Sequence, residues 1–414
     1  MIINPEPEIF SLKNGIRILQ QKSHENGITH CCFIVNRGSR DEDDGVNGLA
    51  HFIEHLLFKG TEKRNSYQLL NRLESVGGEI NAYTTKEQTC IHASFLNEHL
   101  ERAFELISDI AFRSIFPEHE MEKEKGVILD EIESYNDLPE EQILDQFDEI
   151  IFPDHALGRN ILGTPESVTA LKKSDIEDFI QTNYTSDQVV FGVHGNVSGS
   201  KLKNLAEKYL GDLANSTRDH KRIEPKIAAK NNTKVFKSIN QAHVIMGVQS
   251  YSLHHKNKKA MLLLNNFLGG PGLTSRLNLN IREKFGLTYT IESGYYPYSD
   301  CGIFEIYFGT DPEKVNRCLR LIHKELDALR KKNLGGLMLD QAKKKFIGQI
   351  ALAEEGRLNV LIGSCKSLLE QDKVEPLKHS ISLLNKISAD EIREIANEVF
   401  DLDLMSTLQF LPKE

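Results

Sequence analysis

Apolar and polar positions recur along this chain with two different periods, which predict both strands and helices. Apolar runs bounded by polar turns occur in THCCFIVNRGSR, residues 29–40, and in QTCIHASF, residues 88–95, and each run predicts a strand. The segment EHLERAFELISDIAF, residues 98–112, has helical periodicity instead. Its apolar residues share one helical face: Leu100, Ala103, Phe104 and Ile107. Short strands mixed with long amphipathic helices, without regular alternation, favour an α+β fold.

The second half of the chain repeats the pattern of the first after a shift of about 215 residues. The strand THCCFIVNRGS has a counterpart in QAHVIMGVQSYS, and SDIEDFIQTNYTSDQVVFGVHG has one in ADEIREIANEVFDLDLMSTLQF. The apolar helical face recurs as Val315, Cys318, Leu319 and Ile322. A polar stretch with little periodicity lies between the halves. The sequence therefore predicts a duplicated unit, with domains at residues 1–213 and 237–414 and a linker at residues 214–236.

A polar trio interrupts the apolar segment GLAHFIEHLLFKGT, residues 48–61. In a helix, His51 and His55 lie one turn apart and point the same way, with Glu54 beside them. Two imidazoles at this spacing can hold one zinc ion, and the glutamate can act on a bound water without being a ligand. Two hydrogen-bonded histidines on a helix surface are the simpler alternative. Unpartnered burial among the apolar neighbours would cost on the order of several kcal/mol, which favours a metal or a strong hydrogen-bond network.

A catalytic zinc site needs a third protein ligand and an open position for water. The best source is the amphipathic stretch EHEMEKEKGVILDEIESYND, in which Glu124 and Glu131 lie two turns apart on one face. Val127, Ile128 and Ile132 are expected to form its apolar side. Taken alone, an acidic helix is more simply a solvated face.

The order H-x-x-E-H, with Glu131 placed 76 positions after His55, resembles the pitrilysin/insulinase family of zinc peptidases and its short members similar to mitochondrial processing peptidase. The context VILDEI and the duplicated halves extend the resemblance over nearly the whole chain. It implies that His51, His55 and Glu131 bind one zinc ion per chain, that Glu54 is the general base, and that Glu124 supports the ligands. It also implies two homologous α/β-sandwich domains, each with a mixed or antiparallel sheet flanked by helices.

The same resemblance assigns substrate contacts in both halves. GGEINAYTTKEQT matches an edge strand in which Asn81, Ala82 and Tyr83 would pair with the substrate backbone. SRLNLNIREKFGLTY matches an arginine and a tyrosine seven apart, here Arg282 and Tyr289, which would contact the substrate carbonyl or the tetrahedral intermediate. Without the family match, these segments are more simply a turn entering a strand, a surface charge and a strand aromatic.

The resemblance predicts a zinc-dependent endopeptidase that hydrolyses peptides or unfolded polypeptide segments. The resemblance to the shorter family members implies a homodimer, and the presence of both motifs in one chain disfavours an obligatory heterodimer. The alternative is a catalytically silent relative that binds peptides or serves as an assembly subunit. That form usually loses the histidines or the base, and all of them are present here. A metal-storage or sensor protein would not need Glu54 between the ligands.

Composition and charge limit the classes of binding partner and the cellular compartment that we expect for this protein. With 27% charged residues, a net charge of −10 and no dense basic block, a nucleic-acid partner is not expected. The N-terminal segment does not resemble a secretory signal, and no apolar run approaches about 18 residues, so we expect a cytoplasmic protein without a membrane partner. The six cysteines lack C-x-x-C spacing and are expected to be reduced core residues.

Overall fold

The computed structural model describes residues 6–23, 27–217 and 221–413, which form two compact units. The first unit comprises Met1–Glu133, Arg159–Lys221 and Leu352–Pro376, and the second comprises Ser134–Gly158, Arg222–Ala351 and Leu377–Glu414. The chain passes from the first unit to the long segment of the second unit between residues 221 and 222, and this point falls inside the predicted linker. The sequence-based boundaries assigned residues 134–158 to the first domain and 352–376 to the second, whereas each of these segments packs in the other unit.

The strands of the described residues are, in chain order, β1 (Glu8–Ser11), β2 (Arg17–Lys22), β3 (Ile28–Val35), β4 (Glu79–Thr84), β5 (Thr89–Leu96), β6 (Val189–Gly195), β7 (Asn232–Lys237), β8 (Ala242–Ser250), β9 (Thr288–Pro297), β10 (Gly302–Thr310) and β11 (Ser406–Pro412). The α-helices are α1 (Leu49–Leu56), α2 (Ser66–Glu74), α3 (Leu100–Arg113), α4 (Glu118–Asn136), α5 (Pro139–Ile151), α6 (Pro165–Ala170), α7 (Lys173–Asn183), α8 (Gly199–Leu210), α9 (Lys258–Gly269), α10 (Val315–Lys331), α11 (Gly336–Ala353), α12 (Arg357–Gln371), α13 (Leu377–Lys386) and α14 (Ala389–Val399).

The sheet of the first unit has the strand order β1-β2-β6-β3-β5-β4. Strands β2 and β6 are parallel, and the other neighbours are antiparallel. The predicted strands at residues 29–40 and 88–95 are β3 and β5, which pair with Cys32 opposite His92. The predicted helix at residues 98–112 is α3. These three predictions are confirmed, and the sheet is mixed.

The sheet of the second unit has the order β7-β11-β8-β10-β9, with β7 and β11 parallel. Without β1, the order in the first unit corresponds strand for strand, so the predicted duplication is confirmed as two α/β sandwiches of one topology. The linker prediction is wrong from residue 232 onward, because NTKVFK forms β7. Its residues alternate between exposed and half-buried positions, which is the pattern of an edge strand.

Each sheet is covered on both faces, and in each unit one covering helix comes from the other half of the chain. In the first unit, α12 packs Leu361 and Cys365 against Cys32 and Val190 of the sheet. In the second unit, α5 packs Phe147, with its apolar neighbours, onto the corresponding sheet face. Burial of apolar surface stabilises a fold by roughly 25 cal/mol per Å². This gain explains why α12 and α5 pack in a different unit from the one that sequence order predicts.

The structure bears on two further predictions, one about the cysteines and one about membrane-spanning helices. All six cysteines are free and buried, as predicted. Among the described residues, no helix combines the length and the apolar composition needed to cross a membrane.

Candidate metal centre

Helix α1 presents its polar trio on one side and buries the other. Leu49, Ile53 and Leu56 are buried in the core of the first unit, as predicted. The helix follows Gly48, which adopts a φ of 91°. A Cβ there would lie 2.7 Å from the carbonyl oxygen of Leu162, so both the conformation and the close approach require glycine. The apolar packing and the constrained entry fix the direction of the trio.

Glu42 anchors the start of α1. Its carboxyl oxygens accept hydrogen bonds from the backbone N–H groups of Gly48 at 3.0 Å and of Ala50 at 2.8 Å. These N–H groups belong to the first turn, where intrahelical acceptors are missing. Burial raises the pKa of Glu42 to about 8, although these two donors act in the opposite direction. Glu42 therefore positions the helix that carries the histidines.

Helix α4 brings a carboxylate to the histidine pair. The Oε2 atom of Glu131 lies 3.6 Å from Nε2 of His55 and 3.9 Å from Nε2 of His51. The three donor atoms lie within 4.8 Å of one another. Tetrahedral zinc ligands at about 2.0–2.2 Å from the ion stand roughly 3.3 Å apart, so the observed spacing is close to what zinc requires. Two imidazole nitrogens and one carboxylate oxygen are also a donor set of catalytic zinc sites.

Glu124 sets the orientation of His55. Its side chain is buried, and Oε2 accepts a hydrogen bond from Nδ1 of His55 at 3.2 Å. Lys59 places its Nζ atom 2.6 Å from the other carboxylate oxygen. Because a carboxylate only accepts, this contact puts the imidazole proton on Nδ1 and leaves the Nε2 lone pair facing Glu131. Glu124 thus contacts a candidate ligand, and its supporting role stays a prediction.

Replacing Glu124 by glutamine is expected to weaken zinc binding by roughly 10- to 100-fold, because a neutral amide oxygen, a weaker acceptor, takes the place of the carboxylate that orients His55. Competition against a chromophoric chelator measures this affinity. Glu122→Gln is the matched control on the same helix, since the Glu122 side chain is 72% exposed. Equal zinc affinities for the wild-type protein and the Glu124→Gln protein, with both correctly folded, would rule out an orienting role for the charged carboxylate.

His51 is buried and has a pKa lowered to about 4, first by burial and then by the neighbouring His55. Its imidazole is therefore neutral at neutral pH, which is the form that binds metals. The buried Nδ1 atom has no hydrogen-bond partner among the described residues, whereas Nε2 lies 3.9 Å from Oε2 of Glu131. A metal ion would satisfy the Nε2 lone pair, so the residues present fit zinc.

Glu54 lies in the same turn as His55. Burial raises the pKa of Glu54, while Thr84 and His55 act in the opposite direction. A carboxylate with a raised pKa accepts a proton more readily than an exposed one, as a general base requires.

Four of the five predicted substrate residues lie on edge strands. Asn81, Ala82 and Tyr83 belong to β4, the edge strand that packs against α1, so the predicted edge position is confirmed. In the second unit, Arg282 lies in a short π-helical segment, Asn278–Glu283, and Tyr289 lies on the edge strand β9 with 82% of its surface exposed. The roles of these five residues stay predictions.

One residue expected on the apolar side of α4 is exposed. The sequence also did not indicate two residues that support the metal centre, Lys59 and Glu42. Ile128 is buried on the apolar side of α4, but Val127 is 47% exposed, because the next position along a helix turns about 100° away. Lys59 lies in the turn after α1, three residues beyond Leu56, so helical spacing did not point to it. Glu42 carries no sequence signal, because a loop brings it back to the helix start.

Comparison with known proteins identifies the family. Residues 17–165 match the model described as insulinase (peptidase family M16), and residues 170–346 match the peptidase M16 inactive domain. The chain belongs to the insulinase family, peptidase M16. All candidate metal ligands lie in the first matched region, and Arg282 and Tyr289 lie in the second.

Relatives cover almost the entire chain. It is 30% identical to the uncharacterized zinc protease YmxG of Bacillus subtilis, over 95% of this chain and 96% of the relative. It is 33% identical to the uncharacterized zinc protease SCO5738 of Streptomyces coelicolor, over 94% and 86% respectively. A solved structure of a protease from Helicobacter pylori has a TM-score of 0.91 at 22% identity, covering 99% of this chain and 100% of that one. The peptidase M16 inactive domain from Pseudomonas fluorescens also has a TM-score of 0.91, at 19% identity over 99% and 98%. These two structures share the fold.

Proposed function

We propose that this protein is a zinc-dependent endopeptidase. The observation that carries the proposal is the convergence of two imidazole nitrogens, from His51 and His55, on a carboxylate oxygen of Glu131. Glu54 stands in the same helical turn with a raised pKa. Membership of a peptidase family and relatives named zinc proteases support this chemistry.

Each residue of the centre has a task in peptide hydrolysis. His51, His55 and Glu131 would hold one zinc ion, which when bound activates water and polarises a carbonyl oxygen. The carboxylate of Glu54 would take a proton from the attacking water and later deliver it to the nitrogen of the leaving amine. Glu124 and Lys59 would keep the proton of His55 on Nδ1, so that Nε2 stays available as a ligand.

The substrate proposed is an extended peptide or an unfolded segment. One side of β4 has no neighbouring strand among the described residues, so its backbone groups can pair with a peptide strand. Backbone pairing of this kind requires an extended chain and favours few particular sequences. Asn81 to Tyr83 would make these contacts, and Arg282 and Tyr289 would bind the substrate carbonyl. A homodimer and a cytoplasmic location complete the proposal, and both rest on the sequence alone.

A silent peptide-binding or assembly subunit is the second candidate. It is favoured by the description of the second matched region as an inactive domain. The presence of every candidate ligand and of Glu54 in the first region favours the active form.

Incubation of the purified protein with a mixed pool of unstructured peptides separates the two candidates. We expect internal cleavage products, identified by mass spectrometry, because an edge strand binds the middle of a peptide as readily as its ends. Stepwise loss of terminal residues would point to an exopeptidase instead. Bound zinc without any product over a broad pool would leave the silent subunit as the function.

A further inference from the structure

A cavity of about 600 Å³ opens beside β4, on the sheet face that α12 covers. Tyr83 and His92 line it from the sheet, and one side of α12, from Leu358 to Lys366, lines it from above. All of these residues belong to the first unit. None of them is a candidate metal ligand, and the sequence pattern indicated only an ordinary strand position for His92.

The register of the sheet places this cavity beside a peptide bound to β4. Asn81 pairs with His92 and Tyr83 pairs with Cys90, so these four side chains project to the α12 face. Ala82 projects to the opposite face, into the core beneath α1. A peptide strand added to β4 would alternate in the same way, with every second side chain on the cavity side. This step rests on the proposed function, in which β4 binds the substrate.

The chemistry of the lining selects the side chain. Leu358 and Ile362 supply apolar walls, and Asn359 supplies an amide. Burial lowers the pKa of His92, so its imidazole is neutral at neutral pH. The ammonium group of Lys366 lies 5.2 Å from the centre of the Tyr83 ring, and no described carboxylate forms an ion pair with it.

We propose that this cavity is a specificity pocket for one side chain of the substrate, and that Lys366 makes it prefer glutamate and reject lysine and arginine. A glutamate side chain combines an apolar stem, which suits Leu358 and Ile362, with a carboxylate for the unpaired cation. A substrate lysine at the same position would place its ammonium group close to that of Lys366 in a partly enclosed site. The pocket would therefore repel lysine as well as attract glutamate.

Gly363 allows the pocket to be filled without disturbing the helix. A Cβ built on Gly363 meets no atom within 4 Å, so a larger side chain there would enter open space at the cavity. Gly348 in α11 offers a matched control, because it is also exposed, also lies within a helix and also has open space around its Cβ. Both positions gain helix propensity equally when glycine is replaced.

The test uses fluorescein-labelled short peptides that carry Glu, Gln or Lys at one scanned position. Their dissociation constants are measured with the full-length zinc-loaded protein carrying Glu54→Gln, in which cleavage is blocked, and kcat/KM is measured with the wild-type protein. We expect Glu to exceed Lys by about tenfold in affinity at one position. In the Glu54→Gln background, Lys366→Met should abolish this preference, and Lys366→Glu should reverse it. Gly363→Phe should weaken binding of peptides that carry a large side chain at the scanned position, but should not affect peptides that carry glycine at this position. Gly348→Phe should change the dissociation constant of neither kind of peptide.

The outcomes separate the pocket from the peptidase activity. A Glu/Lys ratio that is unchanged in Lys366→Glu protein, or absent at every position, would overturn the pocket. Absence of cleavage by wild-type protein, together with a preference that Lys366→Glu reverses in the binding assay, would contradict the peptidase function while supporting the pocket. Melting temperatures close to those of the parent proteins exclude misfolding of the variants.

Discussion

Glu54→Gln is expected to abolish measurable peptide cleavage while leaving zinc bound. Glutamine has nearly the same size as glutamate, so the packing of α1 is retained, but its amide cannot accept a proton from water. General base catalysis contributes roughly 10²- to 10⁴-fold in rate, and a loss at the upper end of that range is expected for a buried base with a raised pKa. Because Glu54 is not among the three converging ligands, zinc content should remain that of the wild-type protein.

The control for this substitution is Glu62→Gln, which makes the same chemical change at an exposed residue shortly after α1. Rates of peptide cleavage, zinc content and melting temperature are compared among the three proteins. Cleavage by Glu54→Gln protein at the wild-type rate would disprove the base assignment. Loss of zinc from a correctly folded Glu54→Gln protein would instead place Glu54 among the ligands.

His55→Ala is expected to have the largest effect on metal binding. Structural zinc in small peptides binds with about 10–16 kcal/mol shared among four ligands, or roughly 3 kcal/mol for each. Removal of one ligand of three should therefore weaken zinc binding by roughly a hundredfold or more. Competition with a chelator of known affinity measures the change. Removal of His55 also leaves Glu124 paired with Lys59 but without an imidazole to orient.

His119→Ala serves as the control for His55→Ala, since the His119 side chain is 71% exposed on α4. Its zinc affinity should equal that of the wild-type protein. A His55→Ala protein that still holds stoichiometric zinc at the wild-type affinity would refute the ligand set.

Local periodicity was enough to predict much of the centre. The spacing of His51 and His55 requires only that α1 be a helix, and the apolar residues on its other side made that helix predictable. Glu131 was different, because an acidic helix does not reveal what it faces. Its approach to His55 depends on how α4 packs against α1, and the family resemblance supplied that information before the structure placed the two groups 3.6 Å apart.

Long-range packing explains what the sequence could not predict. Helix α12 is amphipathic, but its apolar stripe fits any apolar sheet face, and only the structure shows Cys365 against Cys32 of the first unit. The contact of Glu42 with the start of α1 depends on a loop that has no periodicity. Strand β7 did carry a usable signal in the alternation of NTKVFK, but its many polar residues made a linker the simpler interpretation.

The most direct measurement is a zinc titration of metal-free wild-type protein, with cleavage of the peptide pool recorded at each step. If His51, His55 and Glu131 form a single catalytic site, the rate should rise in proportion to added zinc and level off at one ion per chain. Binding of one zinc ion per chain with no cleavage at any point of the titration would contradict the peptidase function, as would cleavage at full rate in the metal-free protein.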